Sequence, residues 1–327
     1  MAIGDGIRRN LAKISAAERN SLRDAICALD RDVTKVYGDG VSFWDKQDQI
    51  HQATHNHGGP SFIPWHRELC NRFEALIREV NKDLSLHYWD WTTDPCASPD
   101  GSGGIVNLFT NEFMGRSHGR AGVPLETFDN NAVIPGSRNE TGNPVDPPRR
   151  IMRNVIDDLP QNYKDIESVF KTDTELIATG DMLLPDEQWN AFRQAVERMH
   201  GGMHYYIGGT IAEGHTSFQD PFVFLLHANV DRLFAMWQTA PRKTWRLDPM
   251  KVYGNESDTT GETGITTPME PWAGKSGIRP WALPEKQIIV KDSKDPSVVA
   301  PPRYDTMPSG TIDTTPPNAP QGLVVFP

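Results

Sequence analysis

The N-terminal part of the chain carries apolar residues at helical spacing in two places. Ser15–Glu18 has the spacing of a capping box and precedes an apolar stripe that ends near Leu29, which predicts a helix. Apolar side chains also recur on one face of Val41–Ala53 and predict a second helix there. His51 lies on the buried face of that second helix.

A third helix is predicted after the Gly-Gly-Pro break at residues 58–60, because Pro64 suits the first helical turn. His66 lies three residues before Leu69 and seven before Phe73, and it therefore faces the same core as they do. The apolar stripe of this helix comprises Leu69, Phe73, Leu76, Ile77 and Val80.

Helical spacing returns at Pro185, and His200 and His204 continue the buried stripe of the helix predicted there. Asp220-Pro221 is a typical start for another helix, since aspartate caps the N-terminus and proline fits the first turn. His227 lies in the middle of its apolar face. The two stripes comprise Trp189, Phe192, Val196, Met199 and Met203, and then Val223, Val230, Phe234 and Trp237.

The other segments carry weaker patterns. Pro95–Pro148 is rich in Gly, Pro, Asn and Ser and predicts a long loop that forms a functional rim. Beyond Thr239 the pattern predicts only a strand at Gln287–Val290 and a proline-rich, partly disordered tail at Pro301–Pro327. The chain is therefore predicted to be mainly α, with long irregular loops and little β structure.

Charge and composition exclude several classes of function. A formal net charge of -10 on 327 residues disfavours nucleic-acid binding, which needs a basic surface. The sequence contains no apolar run long enough to span a membrane. Met1–Lys13 lacks the apolar core of a secretory signal, and Cys27, Cys70 and Cys96 suit buried thiols, so we expect a cytoplasmic location.

Most of the ten histidines fall in two clusters, at residues 51–66 and 200–227, and each cluster is tied to predicted core-facing helix faces. One neutral imidazole in a core is common. Burying six is different, because each ring left without a partner costs about 1–3 kcal/mol. A metal ion removes that cost by taking the lone pairs, and an all-imidazole set suits copper, zinc, iron or nickel.

His200 and His204 are one helical turn apart and can reach a single ion. Zinc proteases place a glutamate directly after the first histidine of such a pair, whereas this chain has Gly201. Binuclear hydrolases usually add a bridging carboxylate, and none lies between these residues. The histidine-only set favours a pair of copper ions, with a helical zinc hydrolase as a remaining alternative.

The motifs around these histidines resemble a known family. The segment His57–Arg67 resembles the first copper motif of tyrosinases, and Tyr88-Trp89-Asp90-Trp91 resembles the segment that follows it. His200–Gly209 with Asp220–Leu233 is similar to the second copper motif. The likeness extends over about residues 7–240. It implies a polyphenol oxidase of the catechol oxidase or tyrosinase type, with two copper ions and O2 as co-substrate.

The resemblance also implies which residues hold the ions. One copper is assigned His51, His57 and His66, and the other His200, His204 and His227. His55 lies one turn after His51 on the same face, and periodicity alone does not separate the two. Position 55 is where plant and fungal members carry a cysteine in a thioether, which this chain must lack, as bacterial members do.

Three further positions bear on substrate choice. Glu197, three residues before His200, is a candidate for the family's water-orienting glutamate, and a plain ion pair with Arg193 or Arg198 is the alternative. Gly201 stands where active monophenol hydroxylases, the monooxygenases of the family, often carry asparagine. Gly214 stands where some members place a bulky gate residue, so an accessible copper is expected.

The expected architecture is a four-helix bundle that supplies the ligands, with loops at the rim. Residues 1–240 are expected to form a tyrosinase-like dicopper catalytic domain, and residues 241–327 a C-terminal extension packed on the same domain. Phenols, o-diphenols and o-aminophenols are the substrates that the resemblance implies, and a copper-loading helper protein is a candidate partner. The alternative from another class is a haemocyanin-like O2 carrier without turnover, which shields its site with a neighbouring domain of a kind that we do not expect after Trp237.

Overall fold

Helices dominate the computed structural model, which describes residues 4–31, 42–54, 56–128, 149–156, 170–253, 271 and 301–307. The mainly α prediction is confirmed, and the predicted helices begin within three residues of the observed ones. The helices are α1 (Ala16–Arg31), α2 (Phe43–Thr54), α3 (Phe62–Val80), α4 (Asp173–Ala178), α5 (Pro185–Ile207), α6 (Phe222–Gln238) and α7 (Pro249–Val252). Short 3₁₀ turns cover Leu11–Lys13, Gly209–Ala212, Ser217–Gln219 and Thr244–Leu247.

The β structure among the described residues is limited to two small antiparallel pairs. Strand β1 (Ser98–Pro99) pairs with β2 (Ile105–Val106), within the segment predicted as a long loop. Strand β3 (His118–Arg120) pairs with β4 (Met152–Asn154). The strand predicted at Gln287–Val290 lies outside the described residues. None of the described helices is long and apolar enough to cross a membrane.

Side-chain caps explain where helices α1 and α6 start. The Ser15 hydroxyl accepts a hydrogen bond from the Glu18 N–H (3.1 Å) and so caps α1. The Glu18 carboxylate does not complete the capping box, because it pairs with His87 Nε2 at 3.1 Å. At α6, Asp220 Oδ1 accepts from the Phe222 N–H at 2.9 Å, and its carboxylate also pairs with Arg153 at 2.6 Å.

Aromatic packing joins the helices beneath the histidines. The rings of Phe73 in α3 and Phe224 in α6 stack with centroids 3.7 Å apart, and Trp44 of α2 meets both edge-on at 5.6 Å. Phe192 of α5 stacks on Trp237 of α6 at 4.8 Å. The four helices α2, α3, α5 and α6 therefore share one core.

The apolar stripe predicted for α3 is one residue too long. Val80 is 47% exposed, whereas the four preceding members of the stripe are buried. Val80 is the last residue of the helix, and the chain turns away from the core at Asn81.

A buried polar cluster ties the chain's N-terminal region to its C-terminal segment. Arg8 pairs with Glu74 of α3 at 2.7 Å and with Asp231 of α6 at 2.8 Å. The Tyr304 hydroxyl donates to Asp231 at 2.8 Å, and Arg67 also pairs with Asp231. Part of the tail predicted as partly disordered, residues 301–307, is thus joined to Arg8 and α6 through the Tyr304 hydroxyl.

Candidate metal centre

Six histidines converge in the interior of the helical core. Four helices contribute five of them, and the sixth lies on the loop between α2 and α3. The contributors are His51 from α2, His57 from the loop, His66 from α3, His200 and His204 from α5, and His227 from α6.

The first triad is His51, His57 and His66. One ring nitrogen from each lies within 4.8 Å of the other two, which is close enough for all three to bind one ion. The ring centroids of His57 and His66 are 5.2 Å apart, and His51 lies 5.6 Å from the former and 5.9 Å from the latter. His55, the alternative to His51, lies outside the described residues.

The second triad is His200, His204 and His227. The Nε2 atom of His200 lies 2.9 Å from the Nε2 atoms of both His204 and His227. Its members come from α5 and α6, so the contact between those two helices sets their separation.

The two triads face each other. The rings of His66 and His227 are stacked, with centroids 4.7 Å apart and planes inclined by 7°. His200 lies 6.0 Å from His57 and 6.1 Å from His66. Two ions, one in each triad, would therefore be near neighbours, as a shared reaction site requires.

Backbone carbonyls orient three of the rings. The Nδ1 atom of His66 lies 2.8 Å from the Phe62 carbonyl, in the preceding turn of α3. His227 Nδ1 makes the same contact with the Val223 carbonyl at 2.8 Å, and His204 Nδ1 lies 2.6 Å from the Ile211 carbonyl. Since a carbonyl only accepts, each Nδ1 carries the proton, and each neutral ring presents its lone pair at Nε2.

This tautomer makes the second triad fit a metal ion. The Nε2 lone pairs of His204 and His227 both point at His200 Nε2, which can donate at most one hydrogen bond. A cation among the three nitrogens would satisfy all of the lone pairs at once. The residues present therefore suit a copper ion, which imidazole ligands bind well.

Burial keeps the second triad neutral. Desolvation lowers the pKa of His200 and of His227 well below the ordinary value for histidine, and it lowers the pKa of His204 to about 4. At pH 7 these rings are uncharged, which is the form that binds metals.

Two aromatic residues that the sequence analysis missed complete the walls of the site. Phe62 lies 4.7 Å from His66 and 5.0 Å from His200, measured between ring centroids. Phe218 stacks on His51 at 4.1 Å. Phe62 precedes His66 by one helical turn, a spacing that could have identified it, whereas Phe218 lies in a 3₁₀ turn and has no periodic signal.

Of the three positions predicted to affect substrate choice, Gly201 and Gly214 are exposed and Glu197 is partly buried. A methyl group built on Gly201 or Gly214 would meet no atom within 4 Å, so the space beside each is open. Glu197 pairs with Arg193 at 3.2 Å, the plain alternative, and its Oε1 also accepts a hydrogen bond from the Gly58 N–H. The water-orienting role of Glu197 stays a prediction.

The structure corrects the interpretation of Asp231. In the sequence alone, Asp231 lies one turn after His227, a spacing at which a carboxylate can accept a hydrogen bond from a ligand ring, and a pair with Arg232 or a surface lysine is the plain alternative. It is instead held by Arg8, Arg67 and the Tyr304 hydroxyl, and the His227 ring is oriented by the Val223 carbonyl.

Three described histidines lie outside the two triads. His87 is buried, accepts from the Arg9 N–H at 3.0 Å and pairs with Glu18, whereas His118 is exposed on β3. His215 is partly buried in the loop after Gly214.

The chain is similar to tyrosinases and to haemocyanins. The tyrosinase of Streptomyces antibioticus is 26% identical over 81% of this chain and 92% of its own length. A putative tyrosinase-like protein of Caenorhabditis elegans is 28% identical, and the match spans 72% of this chain but 31% of that relative. Hemocyanin 2 of Megathura crenulata is 26% identical over 81% of this chain and 7% of its own length.

A solved structure and a family model agree with these similarities. A polyphenol oxidase variant from Thermothelomyces thermophila has the same fold, with a TM-score of 0.55 at 20% identity over 81% of both chains. Residues 41–240, which include all six histidines of the two triads, match the common central domain of tyrosinase. Because that match covers more than half of the sequence, the chain belongs to the tyrosinase family of dicopper proteins.

Proposed function

We propose that this protein oxidises o-diphenols to o-quinones with O2, using one copper ion in each histidine triad. The observation that carries the proposal is the pair of triads facing each other, with the His66 and His227 rings 4.7 Å apart. His51 and His57 complete the first set of ligands, and His200 and His204 complete the second. Two copper ions, when bound, would supply the redox chemistry by which one O2 is reduced to two water molecules while two diphenols lose two electrons and two protons each.

The task of the protein is to hold the ligands in place and to keep the site apolar. Five of the six histidines are anchored in packed helices, which position side chains more firmly than loops do. Phe62 and Phe218, both fully buried, cover the rings and limit the access of water to the ligands. The carbonyl contacts fix which ring nitrogen faces the metal.

We further propose that the entrance admits a diphenol directly. Gly201 and Gly214 are exposed and leave open space where a larger side chain would stand. Gly201 offers no side-chain hydrogen bond to help remove the proton of a phenol. We therefore expect weak monophenol hydroxylation beside stronger oxidation of o-diphenols or o-aminophenols.

The second candidate function is reversible O2 binding without turnover. The similarity to Hemocyanin 2 favours it, because this chain resembles both tyrosinases and a haemocyanin. The open space at Gly201 and Gly214 argues for turnover, since a carrier has to keep phenols away from its metal ions.

The test is steady-state oxidation of catechol and phenol, matched in their other substituents, by the copper-loaded protein. We expect quinone formation with O2 uptake from catechol and slower turnover of phenol. The variant His66→Asn removes one ligand and should lose copper and activity, whereas the exposed His118→Asn should keep both. O2 binding without quinone formation would establish the carrier and overturn the oxidase.

The same assay with Gly201→Asn tests the account of substrate choice. Because the space beside Gly201 is open, asparagine fits without displacing another residue. We expect the ratio of phenol to catechol turnover to rise. An unchanged ratio would contradict the role given to Gly201 and leave the oxidase proposal standing.

A further inference from the structure

His57 differs from the other five histidines of the two triads because it lies outside a helix. The backbone of a helical ligand is fixed by hydrogen bonds to the preceding turn. His57 instead lies on the loop between α2, which ends at Thr54, and α3, which begins at Phe62. Its position therefore depends on whatever holds that loop.

The loop directly after His57 is held by α5. The N–H of Gly58 donates a hydrogen bond to Oε1 of Glu197, which lies three residues before His200. Gly58 has φ +72°, in the left-handed region that favours glycine, so the loop turns sharply directly after His57. Next in the chain, the Gly59 carbonyl accepts from the Phe62 N–H at 3.1 Å and links the loop to the start of α3.

Glu197 is itself well placed to hold the loop. Its Oε2 pairs with Arg193, one turn earlier in α5, at 3.2 Å. The side chain of Arg193 is 6% exposed and that of Glu197 is 19% exposed. One carboxylate oxygen is thus fixed by the helix, while the other accepts from the loop.

We propose that Glu197 is a positioning residue that holds His57 against the first copper ion. The proposal rests on the dicopper function proposed above. Helix α5 then serves both triads, since it carries His200 and His204 and also fixes the loop ligand of the other triad. Glu197 acts through the backbone of Gly58, so what the role requires is a side-chain oxygen that can accept from the Gly58 N–H, and the negative charge matters less.

Three substitutions separate this role from an ordinary surface ion pair. Glu197→Ala removes both contacts, and Glu197→Gln keeps an oxygen that can accept from the Gly58 N–H. Arg193→Met removes the ion pair and leaves the carboxylate. Gln194→Ala, on the exposed side of the same helix, serves as the matched control.

Each copper-loaded variant is placed in excess EDTA, and the release of its two copper ions per chain is measured over time. For Glu197→Ala we expect one of the two ions to leave roughly tenfold faster, the lower end of the range for partners of metal ligands, because the carboxylate is partly exposed. The other ion should leave at the wild-type rate. Glu197→Gln, Arg193→Met and Gln194→Ala should release both ions at close to wild-type rates.

Three results would overturn the proposal. Glu197→Ala could release both ions at the wild-type rate, or Arg193→Met could match Glu197→Ala, which would assign the effect to the ion pair. A general loss of structure would speed the release of both ions and lower the Tm of the metal-free protein. A wild-type chain that binds fewer than two copper ions would instead refute the proposed function, so the two failures are distinguishable.

Discussion

Asp231 neutralises two buried guanidinium groups, and its replacement by asparagine should destabilise the protein strongly. Its carboxylate lies 2.8 Å from Arg8 Nη1, pairs with Arg67, and accepts from the Tyr304 hydroxyl at 2.8 Å. In Asp231→Asn, Arg8 keeps its pair with Glu74 at 2.7 Å. Arg67 Nη1 keeps its hydrogen bond to Gln238 Oε1 at 2.7 Å, but among the described residues no carboxylate other than Asp231 pairs with Arg67.

Removing one partner of a buried ion pair costs about 3–5 kcal/mol, because the remaining charge stays buried. Since Arg8 keeps Glu74, we expect a loss of about 3 kcal/mol in the free energy of unfolding, at the lower end of that range. Denaturant unfolding of the metal-free protein at pH 7 measures it. The control Asp24→Asn removes a carboxylate that is 67% exposed and pairs with Arg23, and it should change stability by less than about 0.5 kcal/mol. A loss below about 1 kcal/mol for Asp231→Asn would refute the reasoning.

Three other outcomes are expected. Burial, opposed by Arg149, raises the pKa of Asp45 from 3.8 to about 6. The folded state therefore holds the proton more tightly than the unfolded state, and the resulting stabilisation, on the order of 2–3 kcal/mol, is complete below pH 3.8 and is lost as the pH rises through about 6. In unfolding experiments, the stability of the wild type relative to Asp45→Asn should fall across that pH window. Gly209→Ala should lower Tm sharply, because its φ is +61° and its Cβ would lie 2.1 Å from the Met152 carbonyl oxygen, whereas Gly201→Ala in an open helical position should stabilise by about 0.5–1 kcal/mol. Free copper at about 100 times its Kd should stabilise the fold by about 2.7 kcal/mol for each of the two sites in thermal unfolding, and EDTA should reverse the effect.

Local patterns predicted the helices and the buried faces that carry the histidines. His66 and His227 each lie in an apolar stripe of helical period, and the structure places both rings inside the core. The capping signal at Asp220 likewise predicted the start of α6, because a cap acts within a few residues of the chain. These features depend on residues that are close together in the sequence, so the order of apolar and polar residues is enough to predict them.

The contacts between residues far apart in the sequence could not be predicted in the same way. Arg8 and Asp231 are 223 residues apart, and Gly58 and Glu197 are 139 residues apart. Such pairs depend on how the helices pack, which periodicity does not specify. Sequence spacing offered only partners near Asp231, either a ligand ring one turn away or Arg232, whereas one of its observed partners is Arg8, in the chain's N-terminal region.

The arrangement of the core implies that the protein, rather than the metal, sets the distance between the two triads. Phe73 and Phe224 stack beneath the site, and Arg67 and Asp231, which follow His66 and His227 by one residue and one turn, join α3 to α6 directly. These contacts involve no metal-binding atom. The Nε2 lone pairs of His204 and His227 both point at His200 Nε2, which can donate a hydrogen bond to only one of them, so helix packing rather than hydrogen bonding brings the third ring close. Copper binding would satisfy both lone pairs without having to assemble the site, and we expect the metal-free protein to keep its helices in place.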